Sequence, residues 1–266
     1  MALFLIVYQD QQPSGFYQRT SFKENTRRKI GAHIFTQLLP LQKRFMEIQE
    51  RLNTFFQTIP DDVQLVAVSK TKPDELILEA YNSGQRIFGE NKVQDLAAKS
   101  PRLPNDIQWH FIGHLQRNKV KYIAPFVSML HGIDSLKLLT EVNKQAAKNN
   151  RTIQCLLQFH IAEEETKFGL SLAEAEELIN DERFAKLNNV QIAGVMGMAT
   201  YTNNMEQVRK EFKKLKQHFQ YLKDKYFLNN PVFKEISMGM SADYQIAIEE
   251  GSTMIRIGTK IFGNRN

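Results

Sequence analysis

The sequence predicts an α/β fold: a single (β/α)8 barrel, of TIM-barrel type, with one extra helix ahead of the first strand. Two observations carry this. Short apolar, β-branched runs that read as strands alternate with amphipathic runs that read as helices, eight of the first separated by seven of the second. The length, 266 residues, is one that a barrel of this kind fills as one domain. A doubly wound open sheet shares the alternation and is the alternative architecture.

The elements follow in order. Leu39, Leu41, Phe45, Ile48, Leu52, Phe55 and Phe56 recur at three- and four-residue steps, as one face of a helix does. Strands are expected to begin near Leu65, Arg86, Gln108, Ser128, Ile153, Val190, Phe233 and Met254. Helical patterns fill 73–83, 92–99, 116–124, 135–149, 171–187, 204–226 and 242–250. Gly84 and Gly251 stand where helix C-termini call for glycine. Nine residues follow Ile257, so no second domain is expected behind the barrel. No repeat or low-complexity tract suggests a solenoid.

Composition narrows the class. A hydrophobic fraction of 42% supports a sizeable core. The net charge of +6 is unevenly placed: residues 1–45 hold seven Lys/Arg against Asp10 and Glu24, and the remainder is nearly balanced. The pI of about 9.2 therefore belongs to the N-terminal segment, and the body gives no electrostatic case for nucleic acid. Residues 1–38 read as a poorly ordered basic extension, and 39–266 as the barrel. The apolar run from Ala2 to Tyr8 is too short for a membrane span and lacks the flanks of a signal peptide. Cys155 is the only cysteine, which excludes an internal disulfide and a cysteine-based zinc site and fits a reducing, cytoplasmic compartment.

In such a barrel the chemistry gathers where strands end. The first strand, Leu65-Val66-Ala67-Val68, runs through Ser69 into Lys70. Charged side chains are rarely placed at the mouth of a buried strand unless paired or in use. A lysine desolvated there loses part of its preference for the ammonium form and becomes a nucleophilic amine able to form a Schiff base. A strand-end lysine with its head in water is the plain alternative. Lys72 is a rival, but it precedes Pro73, Asp74 and Glu75, which read as the polar start of a helix.

The last strand carries a second anomaly. Arg256 sits inside Met254-Ile255-Arg256-Ile257, and alternation puts Met254, Arg256 and Gly258 on one face. A buried guanidinium cannot lose its proton and must donate to a real partner, either a barrel carboxylate or a ligand. Gly258 and Thr259 beside it, and Ser237 and Ser241 around the glycine turn after strand seven, offer amides and hydroxyls where this fold binds phosphate. Lysine, arginine and phosphate cradle together describe an aldehyde bearing a phosphate. Pyridoxal 5′-phosphate (PLP) fits, and a sugar phosphate handled by a lysine-dependent aldolase fits almost as well. Arg256 favours PLP, whose pyridine nitrogen gives it an acceptor.

Other features read as structure. His110 and His114 have the spacing of a helical zinc pair, but Phe111-Ile112-Gly113 between them reads as strand running into loop. No metal is expected. Lys210, Lys213, Lys214 and Lys216, with Glu206 and Glu211, read as the solvated face of a long helix. Cys155 reads as a packed small hydrophobe.

Five separate motifs resemble those of the pyridoxal-phosphate homeostasis protein family, itself similar to the barrel domain of alanine racemase. They are Ala67-Val68-Ser69-Lys70-Thr71-Lys72-Pro73, Phe88-Gly89-Glu90-Asn91, Trp109-His110-Phe111-Ile112-Gly113-His114-Leu115-Gln116-Arg117-Asn118-Lys119, Ser237-Met238-Gly239-Met240-Ser241 and Gly251-Ser252-Thr253-Met254-Ile255-Arg256-Ile257-Gly258-Thr259. The resemblance runs from about residue 46 to the end; the first 45 residues have no counterpart in it. It implies PLP on Lys70, phosphate contacts from Ser241, Gly258 and Thr259, Arg256 toward the pyridine nitrogen, and Asn91 beside the cofactor. It further implies a carrier that buffers PLP without established catalytic turnover; PLP-dependent apo-enzymes are the expected recipients, and a monomer the expected form. A PLP-dependent racemase or lyase is the alternative function.

Overall fold

A computed structural model describes residues 47–163 and 168–263. Eight parallel strands close into a barrel in sequence order: β1 (Gln64–Val68), β2 (Ile87–Glu90), β3 (Gln108–Phe111), β4 (Met129–Ile133), β5 (Ile153–Phe159), β6 (Val190–Gly197), β7 (Glu235–Met240) and β8 (Met254–Ile257). The seam is β1 against β8, in register from Gln64 opposite Met254 to Ala67 opposite Ile257. Around the barrel lie α1 (residues 47–58), α2 (Asp74–Asn82), α3 (Val93–Lys99), α4 (Val120–Ile123), α5 (Leu136–Lys148), α6 (Leu172–Asn180), α7 (Met205–Tyr226), α8 (Tyr244–Glu249) and α9 (Thr259–Phe262). The open sheet is thereby excluded.

Strand alternation builds two cores. Outward residues such as Leu65, Ala67, Phe88, Trp109, Phe111, Ile255 and Ile257 pack under the helices. Inward residues Val66, Met129, Leu156, Ala193, Met196 and Met254 form a separate apolar cluster inside the barrel. α7 shows how a helix joins the outer core. Its buried Val208, Phe212, Leu215, Phe219 and Leu222 follow the helical period, each contributing about 1.5–3 kcal/mol of burial.

Several expectations needed revision. Phe56, on the apolar stripe of α1, is 43% exposed, whereas Ile48, Leu52 and Phe55 are buried. Leu39, Leu41, Phe45 and the whole of 1–38 lie outside the described residues. The pattern over 171–187 divides. α6 stops at Asn180 because the Asp181 carboxylate accepts from the Arg183 amide at 2.9 Å and its Nε at 2.8 Å, a local turn that competes with the helix. A 3-10 turn, Phe184–Lys186, follows. Glu211 is not on the solvated face of α7: it is buried, and accepts from the Thr200 amide and hydroxyl, both at 2.6 Å, and from the Glu163 amide at 3.2 Å. Lys210, Lys213 and Lys214 are exposed, and Cys155 is fully buried. Gly84 and Gly251 both take positive φ, 101° and 87°, at the ends of α2 and α8.

Candidate functional site

At the C-terminal ends of the strands the barrel opens into a cavity of about 910 Å³. Of the residues the sequence singles out, Lys70, Asn91, Ser241, Arg256, Gly258 and Thr259 line it. His114 and Asp243 line it too, and Phe168, Tyr201, Met205 and Met240 form a rim of exposed apolar surface.

Lys70 arrives there because Val66 and Val68 face the barrel interior and the two-residue period carries on past the end of β1. The chain then reverses sharply. The Lys72 amide donates to the Ser69 carbonyl at 3.0 Å, and Thr71, a β-branched residue, is held at φ +64°. Lys72 is occupied elsewhere: its Nζ donates to the carbonyls of Phe262 (3.3 Å) and Gly263 (3.1 Å), at the far end of α9. Loop one is thereby tied to the helix that opens with Gly258 and Thr259.

Arg256 is buried, and its partners are neutral oxygens. Nη1 donates to Ser237 Oγ at 2.6 Å and Nη2 to the Gly197 carbonyl at 3.1 Å. Burial pulls its pKa down to about 10, with Asp243 acting in the opposite direction, so it stays charged at neutral pH. Ser237 differs from the other six predicted residues. It is fully buried behind Arg256 and does not line the cavity; its hydroxyl orients the guanidinium instead.

Ser237 continues into a chain that the sequence analysis missed. His131 Nδ1 lies 3.0 Å from Ser237 Oγ, and His131 Nε2 lies 3.1 Å from His110 Nδ1. Burial drives His110 down to about 3. Burial, reinforced by His110 and Arg256, drives His131 well below its ordinary range. Both imidazoles are therefore neutral at physiological pH, and Arg256 is the only charge in the chain. His131 was open to detection, since it follows the inward Met129 by one strand period.

The loops are closely fitted. A Cβ on Gly113 would fall 2.4 Å from the Asn91 carbonyl oxygen, so the loops after β2 and β3 meet backbone to backbone. The Gly258 amide donates to Ser241 Oγ at 3.4 Å, joining the loops after β7 and β8. Asp243 Oδ1 accepts the Met240 amide at 2.5 Å and shapes the first of them.

His110 and His114 do not act together. His110 is inside the barrel, whereas His114 sits at the mouth, stacked on Phe168 with centroids 4.2 Å apart and Nδ1 3.4 Å from Asp134 Oδ2. Among the described residues no group of three His, Cys, Asp or Glu side chains could hold a metal ion. No helix among them is long and apolar enough to cross a membrane.

The family model for the alanine racemase N-terminal domain matches residues 45–266. Fold and site thus define a barrel of the alanine racemase N-terminal-domain class. An alanine racemase from Bacillus anthracis shares that fold at 15% identity and a TM-score of 0.65, over 83% of this chain and 56% of the racemase. Nearer relatives carry one name. The pyridoxal phosphate homeostasis protein of Aquifex aeolicus is 42% identical over 203 residues, covering 76% of this chain and 87% of that protein. Its Homo sapiens counterpart is 38% identical over 235 residues, covering 82% and 84%. PipY of Synechococcus elongatus PCC7942, solved with PLP bound, superposes with a TM-score of 0.74 at 34% identity, over 82% of this chain and all of that one. The chain belongs to the pyridoxal phosphate homeostasis protein family.

The buried imidazoles predict an acid-sensitive fold. The unfolded chain takes up protons on His110 and His131 below about pH 6.5, whereas the folded chain protonates His110 only near pH 3. Their contribution to stability is fully present above pH 6.5 and drains away as the pH falls toward 3, by about 1.4 kcal/mol per pH unit per imidazole. Urea midpoints between pH 7 and 4 should fall less steeply for His110→Gln than for the unmodified chain. Parallel curves would show that His110 does not carry the effect.

Proposed function

We propose that this protein binds pyridoxal 5′-phosphate as a Schiff base on Lys70 and carries and buffers it, without catalytic turnover of its own. The observation that carries the proposal is one cavity lined by a strand-end lysine, a buried guanidinium and the joined loops of Ser241, Gly258 and Thr259. The donor set suits the cofactor. Arg256 offers a permanent donor to a pyridine nitrogen, and Ser237 positions it from behind. Ser241, Gly258 and Thr259 offer a hydroxyl–amide cradle to the phosphate, with a Cβ at Gly258 falling only 3.3 Å from the Val68 carbonyl oxygen. Asn91, which lines the same cavity, would stand beside the cofactor. The bound cofactor supplies a reactive aldehyde and an electron sink, and an arginine at the ring nitrogen leaves that sink weak. The names of the relatives and the PLP in the PipY structure support the same reading.

The functional unit in this proposal is 39–266, with 1–38 outside it. The working form is a cytoplasmic monomer, and the recipients are PLP-dependent apo-enzymes. A sugar-phosphate aldolase is less well supported, since it gives the buried Arg256 no ring nitrogen to meet. The racemase or lyase reading keeps one observation: the His114 imidazole, against Asp134, lines the same cavity as Lys70. A group there is the kind that acid–base work on a second face of the cofactor requires.

Three measurements test the proposal. Lys70→Ala should abolish the visible imine absorbance of the PLP-loaded protein while leaving the fold intact; a borohydride-reduced adduct mapped to Lys72 would refute the assignment. Thr259→Val with Ser241→Ala should weaken PLP far more than pyridoxal, at ~1.5–3 kcal/mol for each charge-assisted hydrogen bond lost. Equal weakening of both would move the phosphate elsewhere. Incubation with L-amino acids in deuterium oxide should give no multiple-turnover exchange at the α-carbon. Robust exchange, lost in Lys70→Ala, would make the protein an enzyme.

A further inference from the structure

The wall behind Lys70 holds a buried charge pair. Glu90, the last residue of β2, is fully buried between the barrel and α3, and Lys99, the last residue of α3, is buried against it. Lys99 Nζ donates to Glu90 Oε1 at 2.7 Å and to the Ser69 carbonyl at 3.0 Å. Ser69 Oγ donates to the same Glu90 oxygen at 2.7 Å, and the Ser69 amide donates to the Gly89 carbonyl at 3.0 Å. Every polar group of Ser69 is therefore held, and Ser69 immediately precedes Lys70.

Stability alone is a poor reason for this arrangement. Removing two charges from water is costly, and apolar residues of the same volume are often as stable as a buried pair. The pair here is not fully satisfied either: Glu90 Oε2 is buried with no hydrogen-bond partner. What the cluster does secure is a direction. Ser69 begins the turn in which Thr71 is forced to φ +64°, and such strain persists only where the surroundings over-determine it. On the other side of the wall the same turn sends Lys70 into the cavity.

We propose that Glu90 and Lys99 are positioning residues for Lys70: the buried pair clamps Ser69 from outside the barrel and so fixes the direction in which the Lys70 amine is presented. This rests on the reading of Lys70 as the Schiff-base residue, and deepens it.

The discriminating variant replaces both charges, Glu90→Met with Lys99→Met, so that neither is left buried alone. A merely structural pair predicts that stability and PLP capture recover together. A positioning pair predicts native thermal stability with capture at Lys70 slowed roughly ten- to hundredfold, the scale of a small misplacement of a reacting group. The induced circular dichroism of the bound chromophore, which reports a fixed orientation, should shrink with it. In the cofactor-free protein, the rate of Lys70 reductive methylation, read by mass spectrometry against exposed lysines, should change in the variant. Glu90→Gln, which keeps the side-chain shape, serves where the double variant does not fold. Capture and methylation rates equal to those of the unmodified chain in a folded variant would overturn the proposal. If the reduced PLP adduct of the unmodified chain maps elsewhere than Lys70, the functional reading fails, and the methylation rates still judge the positioning by themselves.

Discussion

The pairing of β1 with β8 is the contact on which the site depends. Closing the barrel sets Val66 opposite Arg256 and Ala67 opposite Ile257, and every inward-facing position above that line follows from it. A slip of one residue would turn Arg256 out under the helices and bring Ile257 into the cavity. The hydrophobic cost of exchanging the two faces keeps the register, so the apolar layer deep in the barrel also aligns the polar layer above it. Lys72, bound to the carbonyls of Phe262 and Gly263, fastens the same two ends of the chain a second time, outside the sheet.

Within that frame the electrostatics are economical. One permanent cation, Arg256, is buried among neutral groups: a serine hydroxyl, a main-chain carbonyl and, beyond them, two imidazoles that burial keeps uncharged. Because the guanidinium only donates, Ser237 Oγ must accept from it, and that fixes one end of the chain. His131 Nδ1 can stand as donor or acceptor toward Ser237, and His110 takes the complementary role at His131 Nε2. Either arrangement satisfies both contacts, His131 to Ser237 and His131 to His110, without adding charge. A positive imidazole here would face Arg256 across a single hydroxyl, at a cost in repulsion that the neutral rings avoid.

Much of this was legible in the sequence, and the limits have physical causes. Periodicity found each strand because a closed parallel barrel leaves its outward positions mostly apolar under the helices, as in Leu65, Ala67, Ile255 and Ile257. It also gathered Lys70, Arg256 and Gly258 at one mouth. It could not give depth: Ser237 and Ser241 look alike in the sequence, yet one is behind Arg256 and the other in the cavity. Nor could it pair charges across elements. Glu211 read as solvated because its helical neighbours are lysines, but its oxygens are claimed by Thr200 and Glu163 from two loops. Glu90 stood out only within a motif and Lys99 only as the last residue of a helical pattern, since what makes them unusual is burial against one another. α6 ended early through a single aspartate that found a closer partner than the helix could offer.

The depth profile of the cavity bears on why such a site would hold a cofactor without keeping it. Arg256 is buried, Lys70 is half-buried, and Thr259 is exposed at the rim. A ligand spanning all three would place its ring end in low dielectric, where a fixed donor counts most, and its phosphate end near water. Contacts of such a ligand at the rim would then exchange more readily with solvent than its contacts at Arg256. The mouth above is bordered by Tyr201, 93% exposed, and Phe168, 56% exposed. An enzyme of this chemistry gains from excluding water and closing over its substrate. A carrier gains from the opposite arrangement, a deep and rigid hold on the ring beneath a mouth that another amine can enter.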